Sequence, residues 1–392
     1  PPAPRLAGSP AMARGEPQPR GGAMKRILII LTALGLAACS DDLAGPEKLT
    51  SISQSEDLAA TSLTVMTRNM YVGTDTDRVV ETADPNQIPF VVGELWQLYL
   101  ANDYQERAEG MAREIASSRP HVVGLQEVTL FREQNPADFQ LNAQDTVIDF
   151  VPVLLEALEQ LGEHYELVAQ IQTTDVELPR LNPDFSLSDI RFTDFDAMLV
   201  RSDVGVSNIA TAQYAAFVPG PFGLTILRGW VAADLTVGDQ TYRVLNTHLE
   251  PAETGDGFFQ GLQAEELIAL LAGETRPTVL LGDLNTVAGT GDTYIDLIAD
   301  GFVDTWDLRV GPFDPGFTCC HDVDLSTDAV PLHKRIDHVM VRNFDDLWSR
   351  SGPNPVRAEL VGDEPGDKTP SGLWPSDHAG MVVTLQLPRP GR

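Results

Sequence analysis

Apolar residues recur from residue 62 onward in short runs, and each run ends in polar side chains. Alternation at 63–67 and the continuous apolar run at 122–125 are typical of strands. Further strands are predicted at 197–200, 242–246, 278–281, 339–341 and 381–387, and apolar spacings of three and four predict helices at about 106–117, 150–161 and 260–271. Because strands and helices interleave without a repeat or a low-complexity linker, the pattern predicts one mixed α/β domain over 62–388.

The N-terminal part of the chain has a different pattern. Residues 1–23 are rich in Pro, Gly, Ala and Arg, and we expect them to be a non-native extension upstream of Met24. Residues 24–38 combine a basic start, a short apolar run and small residues, which predicts a secretory signal peptide. The apolar run is shorter than the ~20 residues that a spanning helix needs.

The end of this signal resembles a bacterial lipobox, Leu-Ala-Ala-Cys at 36–39. The resemblance implies lipidation of Cys39, a polar tether over 39–61, and a protein held at the bacterial outer membrane or in the periplasm. The alternative is a soluble secreted protein that is cleaved nearby.

Charge and cysteine content narrow the function classes. The chain has 27 Lys and Arg against 57 Asp and Glu, a net charge of -30, which argues against a basic groove for nucleic acid. A nuclease is not excluded, because bound divalent cations supply positive charge locally.

If Cys39 carries lipid, only Cys319 and Cys320 of the three cysteines remain. A vicinal disulfide, metal ligation and two buried thiols all stay open for that pair.

Candidate chemistry lies at the strand ends. An apolar strand that ends in a carboxylate, amide or imidazole holds that group rigidly at the edge of a sheet. Any one such residue is more often a turn former or a structural histidine, so the interpretation depends on their joint occurrence in this order. The residues are Asn69, Glu127, His248, Asp283, Asn285, Asp337, Asp377 and His378.

Six segments that carry these residues resemble the motifs of the endonuclease/exonuclease/phosphatase superfamily, which shares the DNase I-like fold. They are Thr-Arg-Asn at 67–69, Leu-Gln-Glu-Val at 125–128, Asn-Thr-His-Leu at 246–249, Gly-Asp-Leu-Asn at 282–285, Arg-Ile-Asp-His at 335–338 and Ser-Asp-His at 376–378. The resemblance implies a four-layered α/β sandwich, in which two mostly antiparallel sheets pack face to face with helices outside.

The same resemblance implies metal-dependent hydrolysis of phosphate esters. Glu127 is then the principal ligand of Mg²⁺, or of Mn²⁺ or Ca²⁺, with Asn69 beside it and Asp377 at the same or a second metal position. A hard cation held by few carboxylates keeps open positions for water and phosphate.

The remaining motif residues are implied to act on the reacting groups. Asp283 positions and activates the attacking water, and Asn285 holds the phosphate oxygens or that water. His378, oriented by Asp337, acts as a base or as a charged phosphate clamp, and the sequence leaves both roles open. His248 stabilises or protonates the leaving oxygen.

Substrate identity is left open by the sequence. Nucleic acid, a phospholipid head group and a small phosphoester all remain candidates, and Arg191 is a candidate contact for phosphate. Segments 74–105 and 131–190 are expected to be insertions, of which the first carries Trp96, Tyr99 and Tyr104. The membrane is an expected partner through the N-terminal lipid, and no protein partner is predicted. The alternative function is a catalytically silent surface binding lipoprotein on the same fold.

Overall fold

A computed structural model describes residues 62–220, 224–328, 331–344 and 356–386. The strands are β1 Ser62–Asn69, β2 Val122–Gln134, β3 Asp145–Asp149, β4 Tyr165–Leu181, β5 Leu187–Arg201, β6 Gly205–Gln213, β7 Val218–Pro219, β8 Thr225–Ile226, β9 Gly229–Val237, β10 Gln240–His248, β11 Thr278–Asp283, β12 Val303–Asp304, β13 Asp337–Arg342, β14 Val356–Val361 and β15 Gly380–Gln386. The α-helices are α1 Asp77–Glu81, α2 Ile88–Ala101, α3 Tyr104–Ser118, α4 Phe150–Gln160, α5 Phe258–Leu271, α6 Asp292–Ala299 and α7 Thr305–Leu308.

The predicted upstream extension, signal peptide, lipidation residue Cys39 and tether all fall outside these described ranges. Within the described ranges, no helix combines the length and the apolar character that a membrane crossing requires.

Thirteen of these strands form two large sheets, and β7 and β8 pair only with each other. Sheet I has the order β14-β15-β1-β2-β5-β4, and β3 also pairs with β2. Sheet II has the order β12-β13-β11-β10-β9-β6. Only the pairs β1–β2 and β10–β11 are parallel within the two sheets, and the other neighbours are antiparallel. The fold is therefore the mixed, mostly antiparallel α/β sandwich that the sequence predicts.

Side-chain alternation divides each central strand between two apolar layers. In β1, Val65 faces the core between the sheets, whereas Met66 faces the layer formed by α2, α3 and α4. In β11, Leu281 belongs to the core between the sheets, and Leu280 packs with α5 and α6 on the outside of sheet II. Strands buried on both faces are often continuous apolar runs, as residues 279–281 of β11 are, whereas β1 also buries Thr64 and Thr67.

A polar bracket joins the sheets near the rim where the strands end. Asn246 of β10 donates from Nδ2 to the carbonyl oxygens of Leu125 and Ala197, both at 3.0 Å. Its Oδ1 accepts a hydrogen bond from Nε2 of Gln126 at 2.6 Å. A Cβ atom at Gly124 would lie 2.4 Å from this Oδ1. Glycine is therefore required where the bracket crosses sheet I.

A buried histidine connects β1 to the start of β2. His121 is 7% exposed, and its Nδ1 accepts the backbone N–H of Thr64 at 3.0 Å. Burial, assisted by the charge of Arg201, lowers the pKa of His121 to about 4. The ring is therefore neutral in the folded protein at physiological pH.

The three predicted helices are confirmed, at α3, α4 and α5. The prediction that the second strand ends at Glu127 is wrong, because β2 continues to Gln134 through a bulge. Glu127 lies in that bulge with a φ of 56°. A bulge redirects one side chain without ending the strand, and apolar periodicity does not reveal it.

The two expected insertions are integral to the sandwich. Segment 131–190 contributes β3, α4, β4 and the ends of β2 and β5, all within or against sheet I. Segment 74–105 contains α1 and α2. Trp96, Tyr99 and Tyr104 are buried in the core beneath these helices, so they pack on the sandwich and are not available for stacking on a substrate.

Candidate active site

Polar side chains from both sheets converge at one rim. In sheet II, His248 and Asp283 end the parallel strands β10 and β11 and are paired in register. Asp337 begins β13 directly opposite Asp283. In sheet I, Asn69 ends β1, and the parallel register with β2 places Glu127 beside it. The two parallel pairs thus bring the ends of β1, β10 and β11 and the bulge of β2 to the same edge of the sandwich.

The turn after β11 requires the residue types of its Gly-Asp-Leu-Asn segment. Gly282 has a φ of 149°, and a Cβ atom there would lie 1.9 Å from the carbonyl oxygen of Thr247. Asp283 Oδ1 accepts the backbone N–H of Asn285 at 2.9 Å, which closes a side-chain turn. Asn285 has a φ of 49°, a conformation that asparagine tolerates better than most residues. These constraints fix the directions of Asp283 and Asn285.

Asn69 links the two sheets at the centre of the site. Its Nδ2 donates to Glu127 Oε1 at 3.0 Å and to Asp283 Oδ2 at 3.2 Å. Its Oδ1 accepts the backbone N–H of Tyr71, and the second oxygen of Glu127 accepts that of Val72, each at 2.9 Å. Every carbonyl or carboxylate oxygen has two lone pairs, so these contacts leave each oxygen able to bind a cation.

A second link between the sheets is the pair of His378 and Asp337. Nδ1 of His378 lies 2.8 Å from Oδ2 of Asp337, and both residues are buried. Burial by itself lowers the pKa of His378, but the carboxylates of Asp337, Asp377 and Asp283 outweigh it and hold this pKa well above its ordinary value. The ring is therefore an imidazolium at neutral pH in the metal-free protein, with Nε2 left for a substrate atom.

Like charges crowd the same rim. Burial, together with the charge of Asp337, raises the pKa of Asp283 to about 7. Burial, together with the charge of Glu127, raises the pKa of Asp377 to about 6. A shift in this direction means that ionised carboxylates are unfavourable there without additional positive charge.

His248 has the opposite electrostatic environment. Burial, followed by the charge of Arg228, lowers its pKa well below the ordinary value. Nη1 of Arg228 lies 2.9 Å from Nδ1 of His248, and its Nε donates to Glu250 at 2.9 Å. Because arginine only donates, Nδ1 accepts and the neutral ring carries its proton on Nε2. Nε2 lies 3.0 Å from Nδ2 of Asn285, which is also a donor, so this contact is not a hydrogen bond in that tautomer. Oδ2 of Asp283, an acceptor, lies 3.6 Å from the same nitrogen.

Two buried arginines hold the backbone under the site, and sequence reasoning missed both. Arg68 pairs with Glu114 at 3.0 Å and donates to the carbonyl oxygen of His378. Arg107 is fully buried and donates to the carbonyl oxygens of residues 70, 71, 102 and 375. Arg68 was visible beside Asn69 in the sequence, but its partner lies 46 residues away, so no local signal identified the pair.

An additional acidic pair lies in β5 behind the rim. Asp194 and Asp196 are buried, and both oxygens of Asp196 accept no hydrogen bond from the described residues. Burial, followed by the charge of Glu127, raises the pKa of Asp194 to about 7. Asp196 Oδ1 lies 3.9 Å from Nδ1 of His248. These residues extend the negative region around the Arg228–His248 pair.

The donor set fits a hard divalent cation. Glu127, Asn69 and Asp377 offer carboxylate and amide oxygens, the ligands that Mg²⁺ and Ca²⁺ prefer. Asp283, Asp337 and His378 also have potential ligand atoms within 4.8 Å of one another. Their mutual pairing fits a role toward the reacting water and phosphate better than a role as cation ligands. The raised pKa of Asp377 beside Glu127 is the electrostatic signature of carboxylates that need a counter-charge.

Two predicted residues are not brought to this cluster. Arg191 pairs in register with Arg132, five residues beyond Glu127 in β2, which is ~16 Å along the strand. Its guanidinium contacts Asp175 through two bonds of 2.8 and 2.6 Å. A role for Arg191 in substrate binding stays a prediction. The lipidation residue Cys39 lies outside the described residues.

The adjacent cysteines lie next to His378. Cys319 and Cys320 are joined as a vicinal disulfide, the first of the three states that the sequence left open. Cys319 also forms an isolated β-bridge with His378.

His338, which follows Asp337 in β13, points away from the site, as the alternation of the strand predicts. Its Nε2 lies 2.9 Å from the carbonyl oxygen of Thr286.

The two packed sheets with outer helices form a sandwich of the DNase I-like type. The sequence profile of the Endonuclease/Exonuclease/phosphatase family matches residues 95–378, and the chain belongs to this family. Members of the family are metal-dependent hydrolases of phosphate esters, so the protein is an enzyme of that class. No protein with a curated function is similar enough in sequence to match the chain.

Solved structures with this fold share little sequence with the chain. A family protein from Leptotrichia buccalis C-1013-b is 16% identical, with 83% of this chain and 100% of that chain covered at a TM-score of 0.51. Another from Bacteroides vulgatus is 17% identical, with 83% and 99% covered at 0.50. A third from Beutenbergia cavernae DSM 12333 is 19% identical, with 84% and 72% covered at 0.50. At such identities the likeness shows the fold alone.

Proposed function

We propose that the protein is a Mg²⁺-dependent hydrolase of phosphate esters that uses in-line attack by water. The observation that carries the proposal is the pairing across the sheets at one rim. Asn69 joins Glu127 to Asp283, and the His378–Asp337 pair lies against the same Asp283, with Nδ1 of His378 3.8 Å from its Oδ2. A carboxylate that can orient water thus lies between oxygen ligands and an imidazolium.

The cation would be held by Glu127, Asn69 and Asp377. When bound there, Mg²⁺ supplies positive charge at the phosphate oxygens as negative charge develops on them. Mn²⁺ and Ca²⁺ bind the same kinds of oxygen ligand with the same charge and are the alternatives to Mg²⁺.

Side chains of the protein would orient the water and donate hydrogen bonds to the phosphate and leaving oxygens. Asp283 accepts a hydrogen bond from the attacking water and orients it toward phosphorus. His378 donates from Nε2 to a non-bridging oxygen, while Asp337 holds the ring through Nδ1. Neutral His248 presents Nε2–H beside Asn285, where it donates to the leaving oxygen.

The substrate class that fits best is a small phosphoester or a phospholipid head group. A chain with a net charge of -30 repels a long polyanion, and this charge argues against a basic groove that binds a duplex through counterion release. A single phosphoryl group requires only the local positive charge of His378 and a bound cation.

The proposal includes attachment to the bacterial cell envelope. The lipobox-like segment at 36–39 follows a basic start and an apolar run, the order found in lipoprotein signals. Expression of the full chain in a bacterium with radiolabelled palmitate should label the wild type and leave Cys39→Ser unlabelled. Equal labelling of both, or of neither, would disprove the anchoring.

Turnover is tested with bis-p-nitrophenyl phosphate, p-nitrophenyl phosphate, plasmid DNA, sphingomyelin and inositol phosphates. We expect activity with Mg²⁺ that EDTA abolishes, and a loss of about 100-fold or more in Asp283→Ala and His378→Ala. His338→Gln is the control, because it alters a buried imidazole on the opposite side of β13. A folded wild type that binds Mg²⁺ but hydrolyses no member of the panel would instead support the silent binding lipoprotein.

A further inference from the structure

A second cluster of carboxylates lies on sheet I, at the loop between β2 and β3. Oδ2 of Asp189 accepts the backbone N–H groups of Asp138 and Phe139 at 2.7 and 2.8 Å. Oε2 of Glu177 accepts the N–H groups at positions 142 and 143 at 2.8 and 2.9 Å. Two acidic side chains of the β4–β5 hairpin therefore hold one loop by its backbone.

The second oxygens of these acids have no such partner. Asp189 is 1% exposed, and its Oδ1 is buried and accepts no hydrogen bond from any described residue. Oε1 of Glu177 is also buried and accepts no hydrogen bond from any described residue. Asp138 completes the group, and one carboxylate oxygen from each of the three lies within 4.8 Å of the others. Buried carboxylate oxygens without a donor are rare because their desolvation is not compensated.

No cationic side chain forms an ion pair with the cluster among the described residues, although Arg191 lies opposite Glu177 in the β4–β5 register. None of the three acids takes part in an ion pair within 4.0 Å. Arg132 and Arg191 lie in the same part of sheet I, but both are bound to Asp175, at 3.6 and 2.6 Å. Three negative charges thus converge without an ion pair, held by backbone N–H groups and by the side-chain amide of Asn142, which donates to Asp138 Oδ2 at 3.0 Å.

We propose that Asp138, Glu177 and Asp189 form a Ca²⁺ site that is separate from the active site. Ca²⁺ takes six to eight oxygen ligands at about 2.3–2.6 Å, so oxygens on opposite sides of the ion lie up to about 5 Å apart. The mutual distances in the cluster fit that limit. Asp138 is exposed, which leaves room for water to complete the coordination, and the flexible geometry favours Ca²⁺ over the strictly octahedral Mg²⁺.

The ion would fix the loop through its three carboxylates. Phe139 and Leu141, which the loop presents to solvent, are 63% and 56% exposed. Without a cation, the carboxylates repel one another and the loop loosens from the β4–β5 hairpin. Bound Ca²⁺ should therefore protect these two residues from chymotrypsin, which cleaves after large apolar residues.

Direct binding is the test, by equilibrium dialysis of the full chain with Ca²⁺ at saturating Mg²⁺. We expect one Ca²⁺ per chain that Mg²⁺ does not displace, bound at least tenfold more weakly by Asp138→Asn and Glu177→Gln. Asp138 is exposed, and glutamine keeps an acceptor oxygen for the loop, so both variants should fold. Asp184→Asn is the matched control, because Asp184 lies in the same hairpin and is bonded only to Ser186.

A second readout separates this site from the catalytic one. In the Glu127→Gln background the Mg²⁺-resistant Ca²⁺ should remain, with its protection of Phe139 and Leu141 from chymotrypsin. Unchanged binding in Asp138→Asn and Glu177→Gln, or loss of this Ca²⁺ in Glu127→Gln alone, would overturn the assignment. The result does not depend on whether the rim hydrolyses any substrate.

Discussion

Replacement of Asp337 by asparagine tests the pairing of the rim most directly. The change keeps the shape of the side chain but removes the charge that faces Nδ1 of His378 at 2.8 Å. Asp337 is 0% exposed, and its other oxygen accepts no hydrogen bond from the described residues, so no neighbour compensates. The amide group introduced at that oxygen would find no acceptor.

The expected loss follows from the strength of this contact. A buried hydrogen bond to a charged group contributes about 1.5–3 kcal/mol. Since 1.36 kcal/mol corresponds to a tenfold change in rate, kcat should fall by roughly 10- to 150-fold. KM should change little if the residue orients the ring and does not contact substrate. The fall should exceed that range if asparagine also selects the wrong ring tautomer.

The assay is hydrolysis of bis-p-nitrophenyl phosphate at saturating Mg²⁺, with kcat and KM measured separately. Thermal unfolding of each variant shows whether the fold is intact. His338→Gln is the matched control and should keep kcat within about threefold, because its ring faces Thr286 on the other side of the strand. A folded Asp337→Asn variant with wild-type kcat would refute the assigned role.

Three other perturbations have definite expected outcomes. In the folded protein the pKa of His121 is about 4, below its ordinary value, so His121 binds a proton more readily in the unfolded chain and the free energy of unfolding falls as the pH drops. Urea unfolding should show a loss of about 2 kcal/mol between pH 7 and pH 5. The His121→Asn variant should not show this loss. Gly282→Ala should destabilise the fold by several kcal/mol, about 3 or more, because of the clash with Thr247, whereas Gly273→Ala, with open space around it, should be nearly neutral in the same unfolding experiment. Removal of metal by EDTA should abolish turnover reversibly. The Glu127→Gln variant should need at least ~10-fold more Mg²⁺ for half-maximal rate. An unaltered Mg²⁺ dependence in this variant would contradict the role of Glu127 as principal ligand.

The sequence predicted the rim well because its residues follow strands. Asp283 and His248 each come directly after a buried apolar run, and parallel neighbours end at the same edge of a sheet. Local periodicity therefore located both the elements and the polar groups that end them. The layer order came instead from the family resemblance of the six motifs, because the apolar pattern by itself predicted only one mixed α/β domain.

The rest depended on contacts between distant residues. Arg228 adds to the effect of burial in lowering the pKa of His248, and Arg68 supports the backbone of His378. Neither arginine differs in sequence from an exposed one. The bulge at Glu127 is equally hidden, because a single extra residue barely changes the apolar spacing. Buried charges are identified by their partners, and the fold decides those partners.

Both links at the centre of the rim cross from one sheet to the other, Asn69 to Asp283 and His378 to Asp337. Catalytic activity should therefore depend on the alignment of the two sheets. A slip of one residue between them, ~3.3 Å, would separate every reacting pair while most of the apolar core stayed covered. At low denaturant concentration the hydrolytic activity should therefore be lost before circular dichroism detects any loss of β-strand.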